Sequence, residues 1–259
     1  MRVWPIFKKE LRIFFTSTVA YVILAIFLLV MGWFFSQIFQ FYAQATLRAG
    51  MSPMMGQQDL NTTDGILRPL FSNIAVILLL SLMPLLTMRL FAEERRSGTI
   101  ELLLTYPVRD GAVLMGKYLA SLAFYGILLL LTLLYPLMMF YMGARVEWGA
   151  VLTGYAGLLL MGSAFLAVGL FASSLTENQI VAAVTTFGIL LMFWVLGWGA
   201  DAAGGAWWGK LLQHLSITEH FESFGKGVFE TKDILYYVNF TILALFLTLR
   251  SLEARRWKG

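Results

Sequence analysis

The chain has 259 residues, of which 59% are hydrophobic and 13% are charged, and its mean hydropathy is +0.76. A soluble protein carries about 25% charged residues, so this composition indicates an integral membrane protein. The absence of cysteine excludes disulfides and thiolate chemistry. The net charge of +4 fits basic residues at membrane boundaries better than nucleic-acid binding.

Six apolar segments are candidates to cross a bilayer, which takes roughly 20 residues as a helix. Because lipid cannot hydrogen-bond a bare backbone, each is predicted to be α-helical. Pro84 and Pro136 should kink their helices rather than end them. The sequence predicts an all-α integral membrane protein with one membrane domain, residues 1–259. The approximate spans, none of which contains Asp, Glu, Lys, Arg or His, are residues 16–42, 69–88, 118–143, 150–175, 179–200 and 234–249.

A short amphipathic segment precedes the first span. Trp4, Phe7, Leu11 and Phe14 recur at helical spacing, with basic side chains largely on another face. This pattern predicts an interfacial helix at the headgroup level, the alternative being an early start of the first span. The apolar run that follows is too long for a cleaved signal peptide.

The distribution of basic residues predicts the orientation. With the N-terminus inside, thirteen of the 19 Lys and Arg residues lie on the inner side and six on the outer side. The positive-inside rule then places both termini in the cytoplasm.

The loop between spans two and three is a charged, helix-prone segment, residues 93–107. Ser97 and Gly98 should break the helix that continues span two. Ile100, Leu103 and Leu104 then recur at helical spacing, and Pro107 disfavours further helix. The predicted element covers residues 93–111 and ends in a turn at Arg109-Asp110-Gly111. The alternative is an ordinary interfacial loop whose arginines only orient the chain.

The segment before span six, residues 201–233, mixes aromatic and charged side chains. It is predicted to be a short helical element on the outer face or a re-entrant one. His214 and His220 lack the spacing of a metal site and are expected to be solvated polar residues of this element.

Few side chains in the spans could carry chemistry. The lack of ionisable groups disfavours a proton-driven mechanism, although a sodium site of carbonyls and hydroxyls stays open. No Gly-x-x-x-x-Gly-Lys-Ser/Thr sequence occurs, so the chain is not expected to hydrolyse nucleotide alone. The polar residues of the spans are expected to form helix–helix hydrogen bonds. They are Asn73, Ser81, Thr132, Ser163, Thr185, Thr186, Asn239 and Thr241.

The charged loop resembles that of the permease subunit of ABC-2-type transporters. The family pattern is close to Glu-x-x-x-Gly-Thr-x-Glu-x-Leu-Leu-x-x-Pro, followed by Gly-Lys, here Gly116-Lys117. The residues that would couple to an ATPase are Glu94, Arg95, Gly98, Thr99, Glu101, Leu103, Leu104, Pro107 and Lys117. The stretch from Ile217 to Tyr237 resembles the gliding-motility and copper-enzyme-maturation branch. Its external element includes Glu219, His220 and Phe221.

The resemblance implies six transmembrane helices, an N-terminal interfacial helix, a cytoplasmic coupling helix and a short external helical element before span six. It implies a bacterial inner-membrane permease, dimeric with an identical or paralogous copy. No catalytic residue, cofactor or metal is expected in this chain, because ATP and Mg would bind a separate ABC ATPase. Residues 175–178 would form a second ATPase contact, and an extracytoplasmic accessory protein is a further candidate partner. No nucleic acid is expected.

Three functions remain open. The first is ATP-driven export or remodelling of an unidentified substrate. The second is a non-transporting scaffold that anchors an ATPase in a motility or assembly complex, and the third is secondary transport. Apolar spans with scattered hydroxyls suit lipids, glycolipids or hydrophobic drugs, and equally a mechanical role.

Overall fold

The structure is a computed structural model that describes residues 3–51, 63–99, 109–202 and 207–256. All regular secondary structure within these ranges is helical, which confirms the predicted all-α class. Two π-helical turns, Thr63–Leu67 and Leu70–Ala75, lead into the third helix. The helices are α1 (Val3–Thr16), α2 (Thr18–Met51), α3 (Val76–Thr87), α4 (Ala92–Arg96), α5 (Asp110–Thr132), α6 (Leu134–Tyr141), α7 (Trp148–Leu175), α8 (Gln179–Ala202), α9 (Trp207–Leu215), α10 (Ile217–Gly225) and α11 (Thr231–Arg256).

Six helical stretches of the described chain are long and apolar enough to cross a membrane, which confirms the six predicted spans. The stretches are Thr18–Leu47, Gly65–Arg96, Asp110–Tyr141, Trp148–Leu175, Gln179–Gly199 and Thr231–Ala254. The second and third extend further into charged sequence than predicted.

The start of the third span corrects the sequence analysis. The turn predicted at residues 109–111 is wrong, because α5 begins at Asp110 and is continuous from there to Thr132. Arg109 is extended with ψ 137°, and its carbonyl accepts the Ala112 N–H at 2.8 Å. Asp110 occupies the first turn, where a negative charge is favourable to the helix dipole. Lys117 consequently lies inside a helix rather than before one.

The two prolines act differently. Pro84 lies inside α3, which continues through it to Thr87. Near Pro136 the helix is interrupted at Leu133 and resumes at once as α6. Proline has no N–H, and its ring crowds the carbonyl four residues earlier, which here belongs to Thr132.

Helix α7 is the centre of the bundle. Of its most apolar stretch 78% is buried, against 28% for α2 and 22% each for α8 and α11. Glycines let neighbours approach it closely, as small residues do in membrane bundles. A Cβ atom added at one of these glycines would collide with a packed side chain. The pairs are Gly154 with Phe71, Gly157 with Phe224, Gly162 with Tyr125 and Gly169 with Thr87.

Hydroxyl groups in the spans only partly form the expected helix–helix bonds. Thr132 lies 3.0 Å from the Tyr155 hydroxyl, and Ser163 lies 3.5 Å from Thr241, each pair joining two helices. Ser81 and Thr186 instead donate to the carbonyl four residues earlier in their own helix. That carbonyl is the nearest acceptor available to a helical serine or threonine.

Candidate functional site

The connection between α3 and α4 is held by one serine of α7. Ser173 Oγ accepts the N–H groups of Phe91 at 3.0 Å and Ala92 at 3.1 Å, and it donates to the Met88 carbonyl at 3.0 Å. These backbone groups fall at helix ends, where intrahelical partners are missing. Ser173 is fully buried. The central helix therefore fixes the position at which α4 begins.

Helix α4 ends as the sequence predicts, at Ser97 and Gly98. The Ser97 N–H donates to the Glu93 carbonyl at 3.0 Å, and the Ser97 hydroxyl donates to the same carbonyl at 2.9 Å. Gly98 has φ +69°, and a Cβ there would meet nothing within 4 Å. Its requirement for glycine is thus conformational, as at many helix C-termini. Thr99 follows on the surface and donates to an α4 carbonyl at 3.3 Å.

Three charged side chains meet beside this turn. Lys117 Nζ lies 3.0 Å from Glu10 Oε1 and 2.9 Å from Glu94 Oε1. It also lies 5.4 Å from the centroid of the Phe91 ring, so an ammonium with three donors faces two carboxylates and an aromatic face. Lys117 is 1% exposed. We call Lys117, Glu10 and Glu94 the Lys117 triad; it joins α5, α1 and α4.

A second lysine balances the charge of the triad. Lys9 Nζ lies 3.9 Å from Glu10 and 3.8 Å from Glu94, and its own side chain is largely exposed. Two cations therefore oppose two carboxylates, as a buried ionic cluster requires. Nearby, Arg89 Nη2 donates to Ser17 Oγ at 2.7 Å. That bond ties the turn after α3 to the junction between α1 and α2.

Close packing of α1 on α5 brings Glu10 within contact distance of Lys117. A Cβ at Gly116 would lie 2.6 Å from Ile6 Cγ2 and 3.3 Å from the Phe7 nitrogen. Further along, Phe14 stacks on Phe124 with ring centroids 5.0 Å apart. The later contact in α1 is also the later contact in α5. The two helices therefore run side by side in the same direction. The Gly-Lys pair noted in the sequence thus combines a close helix contact with an ionic one.

The structure brings together only some of the predicted coupling residues. Glu94 and Lys117 are in direct contact, whereas Gly98 and Thr99 form the exposed turn beside them. Arg95 is buried within α4. The remaining four predicted residues, and the helix expected there, fall at 100–108 and lie outside the described residues. They are Glu101, Leu103, Leu104 and Pro107.

Glu10 was not predicted as a site residue, although the sequence contains a signal. It is the only acidic residue in α1, and it lies three residues after Phe7 and four before Phe14. Such spacing places it on the apolar face of the helix. A lone carboxylate on a face that will be buried requires a cation or several donors nearby.

The tight turn at residues 175–178 lies at the same end of the molecule. Asn178 Oδ1 accepts the Ile180 N–H at 2.9 Å and begins α8, while Thr176 Oγ1 accepts the Asn178 N–H at 3.1 Å. The turn starts two residues after Ser173, which holds α4. The two segments predicted to contact an ATPase are therefore neighbours.

The segment predicted to be external forms α9 and α10, and α10 packs on α7 away from Ser173. We keep the name external element for these two helices. Ser216 begins α10 by accepting the Glu219 N–H at 3.4 Å, and the Glu219 carboxylate accepts from Gln213 at 3.2 Å. Phe221 is 1% exposed. Contacts at Gly157 and Ser173 are sixteen residues apart in α7, or roughly 24 Å. The two sites therefore contact opposite halves of the central helix.

His220 is buried, so the prediction of a solvated histidine is wrong. Its Nδ1 lies 2.7 Å from Asp233 Oδ1, and its Nε2 donates to the His214 carbonyl at 3.2 Å. Ser223 donates to the other carboxylate oxygen of Asp233, and the Tyr236 ring stacks on the imidazole at 4.0 Å between centroids. Burial is tolerated because both ring nitrogens and both carboxylate oxygens have hydrogen-bond partners.

These features define a multi-pass α-helical membrane protein with an ionic cluster at one end and a folded helical element at the other. A family model for the ABC-2 family transporter protein matches residues 4–251, and the chain belongs to this family. Membership implies a membrane permease component that associates with an ABC ATPase. The match does not support the finer assignment to the gliding-motility and copper-enzyme-maturation branch. No curated protein matches the chain.

Proposed function

We propose that this chain is the transmembrane permease subunit of an ATP-driven ABC-2 transporter that exports or remodels an unidentified substrate. ATP and Mg would bind a separate ABC ATPase, and residues 93–111 would form the coupling element that docks on it. The observation that carries this proposal, beside the family, is the Lys117 triad. It binds both sides of the segment 100–108 to each other and to α1.

The triad makes the proposed coupling element suited to transmit force. Glu94 precedes the segment and Lys117 follows it, and the two side chains are 2.9 Å apart. A push on the segment would therefore displace α4, α5 and α1 together, because a buried ion pair resists separation. A loop without such an ion pair between its two ends would bend and absorb the same displacement. Spans one, two and five would then tilt as the two ATPases close.

The proposed assembly contains a second permease copy in a bacterial inner membrane. Helices α2, α8 and α11 expose most of their apolar surface, which must face lipid or another chain. With both termini in the cytoplasm, the triad and residues 175–178 would face the ATPase. The external element would then be available to an extracytoplasmic accessory protein.

Co-purification with activity measurements tests this proposal. The tagged chain is isolated from its native host, the associated proteins are identified, and ATP hydrolysis and substrate flux are measured in lipid vesicles. Glu101→Lys should lower permease-stimulated hydrolysis without changing the thermal unfolding midpoint. The matched control is Glu253→Lys, which changes a half-exposed carboxylate that pairs with Arg250 at 2.8 Å in the described structure and should have no effect.

Two outcomes would overturn the proposal: the absence of any associated nucleotide-binding subunit, or unchanged transport and hydrolysis in Glu101→Lys. A third outcome selects the alternative function. Stable assembly with an ATPase, without flux of any substrate class tested, would identify a membrane scaffold that anchors the ATPase.

A further inference from the structure

An open apolar groove runs between α1 and α5, separate from the Lys117 triad. Its volume is about 540 Å³, within the range of about 300–1,000 Å³ typical of small-molecule sites. Trp4 is 62% exposed and Leu119 is 37% exposed, so the groove opens to the surface of the molecule. The lining residues are Val3, Trp4, Phe7, Leu119, Leu122 and Ala123.

One lysine of α1 borders this groove, and α1 has no free carboxylate to balance it. Lys8 Nζ lies 5.1 Å from the centroid of the Trp4 ring, which is one wall of the groove. Arg12 is exposed one helical turn beyond Lys8, on the outer face of α1 rather than in the groove wall. Glu10, the only acid in α1, is 4% exposed and engaged by Lys117. Within the described part of the chain neither Lys8 nor Arg12 forms an ion pair, so both side chains are available to an anion.

We propose that this groove binds an anionic phospholipid of the adjacent leaflet. The apolar walls would receive an acyl chain, and Lys8 and Arg12 would contact the phosphate. An apolar face beside clustered lysine and arginine is the pattern by which interfacial helices select anionic lipid. This lipid site goes beyond the proposed transport function, and it requires no ATPase. A bound lipid would hold α1 against α5 next to the triad.

Lipid retention by the purified full chain tests the site. Native mass spectrometry is run in a neutral detergent with phosphatidylglycerol or phosphatidylcholine of identical acyl chains. The chain should retain phosphatidylglycerol preferentially. Lys8→Gln and Arg12→Gln should each weaken that retention about fivefold, since one cation near an anionic headgroup contributes about that factor. Phosphatidylcholine retention should stay unchanged.

A matched variant controls for overall charge. Arg250→Gln removes an exposed arginine that pairs with Glu253 far from the groove in sequence, and it should not alter retention. Equal binding of the two lipids, or an equal loss in Arg250→Gln, would overturn the proposal.

The acyl chain is located by fluorescence quenching. Phosphatidylglycerol brominated along its acyl chains should quench the wild-type chain more than Trp4→Phe, because Trp4 forms a wall of the groove. Ala123→Phe, which fills the groove, should reduce both quenching and retention. Trp4→Phe keeps an aromatic ring, so it remains informative if Ala123→Phe unfolds. Equal quenching in wild type and Trp4→Phe would show that the acyl chain binds elsewhere.

Discussion

Replacing Lys117 by methionine tests whether the triad stabilises the fold. The substitution keeps an unbranched side chain of similar length but leaves Glu10 and Glu94 facing each other without the ammonium that lies 3.0 and 2.9 Å from them. Removing one partner from a buried ion pair costs about 3–5 kcal/mol. At roughly 2–4 °C per kcal/mol, the unfolding midpoint should fall by roughly 6–20 °C.

Thermal unfolding of the purified chain in lipid nanodiscs measures this effect. Lys232→Met is the control, because Lys232 is exposed and pairs with Glu230 at the surface at 2.6 Å. Exposed pairs contribute little to stability, so the control midpoint should stay unchanged. An unchanged midpoint in Lys117→Met would refute the reasoning.

A triple variant separates stability from coupling. Lys117→Met combined with Glu10→Gln and Glu94→Gln removes the stranded charges, and such neutral replacements are often no less stable than the buried ion cluster. The midpoint should therefore recover most of its loss. If the triad transmits force from the ATPase, stimulated hydrolysis should stay low in this stable variant. A triple variant no more stable than Lys117→Met alone would show that the three side chains do not interact.

Three further predictions concern α7 and the external element. Gly162→Ala should lower the free energy of unfolding by about 1–3 kcal/mol, because its Cβ would collide with the Tyr125 ring. The control is Gly188→Ala, whose Cβ would meet nothing within 4 Å; it should be neutral or slightly stabilising in thermal unfolding. Asp233→Asn should cost about 1–3 kcal/mol by the same assay, since it removes a charge that accepts from a histidine and a serine; a neutral result would contradict the burial argument. Ser173→Ala should speed hydrogen exchange of the first α4 amides, and Ser174→Ala, whose hydroxyl bonds only its own helix at 2.8 Å in the described structure, should not.

The spans could be predicted because their signal is local and large. An apolar run of about 20 residues has few alternatives to a membrane helix, and every predicted segment coincides with a described helix. Boundaries were less accurate where the chain leaves the apolar phase. Residues 110–117 form the first two turns of α5 although their sequence contains charge and glycine, because packing against α1 stabilises them. Hydropathy contains no information about that contact.

The contacts of the candidate site could not be predicted because they join distant parts of the chain. Glu10 and Lys117 are 107 residues apart, and Ser173 bonds an amide 82 residues away. A single sequence shows that a charge needs a partner but not which one. The external element illustrates the same point. Asp233 and His220 were both visible, yet only the packing of α10 on α11 brings them to 2.7 Å.

The arrangement around α7 suggests how the two ends of the proposed permease could communicate. Near its C-terminal end Ser173 holds the start of α4 through three hydrogen bonds. In its N-terminal half, Gly157 lets Phe224 of the external element pack directly on the helix. Because α7 is the most buried membrane helix of the described chain, it cannot slide without moving its neighbours. Under the proposed function, displacement of α4 by an ATPase would therefore reach α10 through one continuous helix, rather than through the less buried α8 and α11.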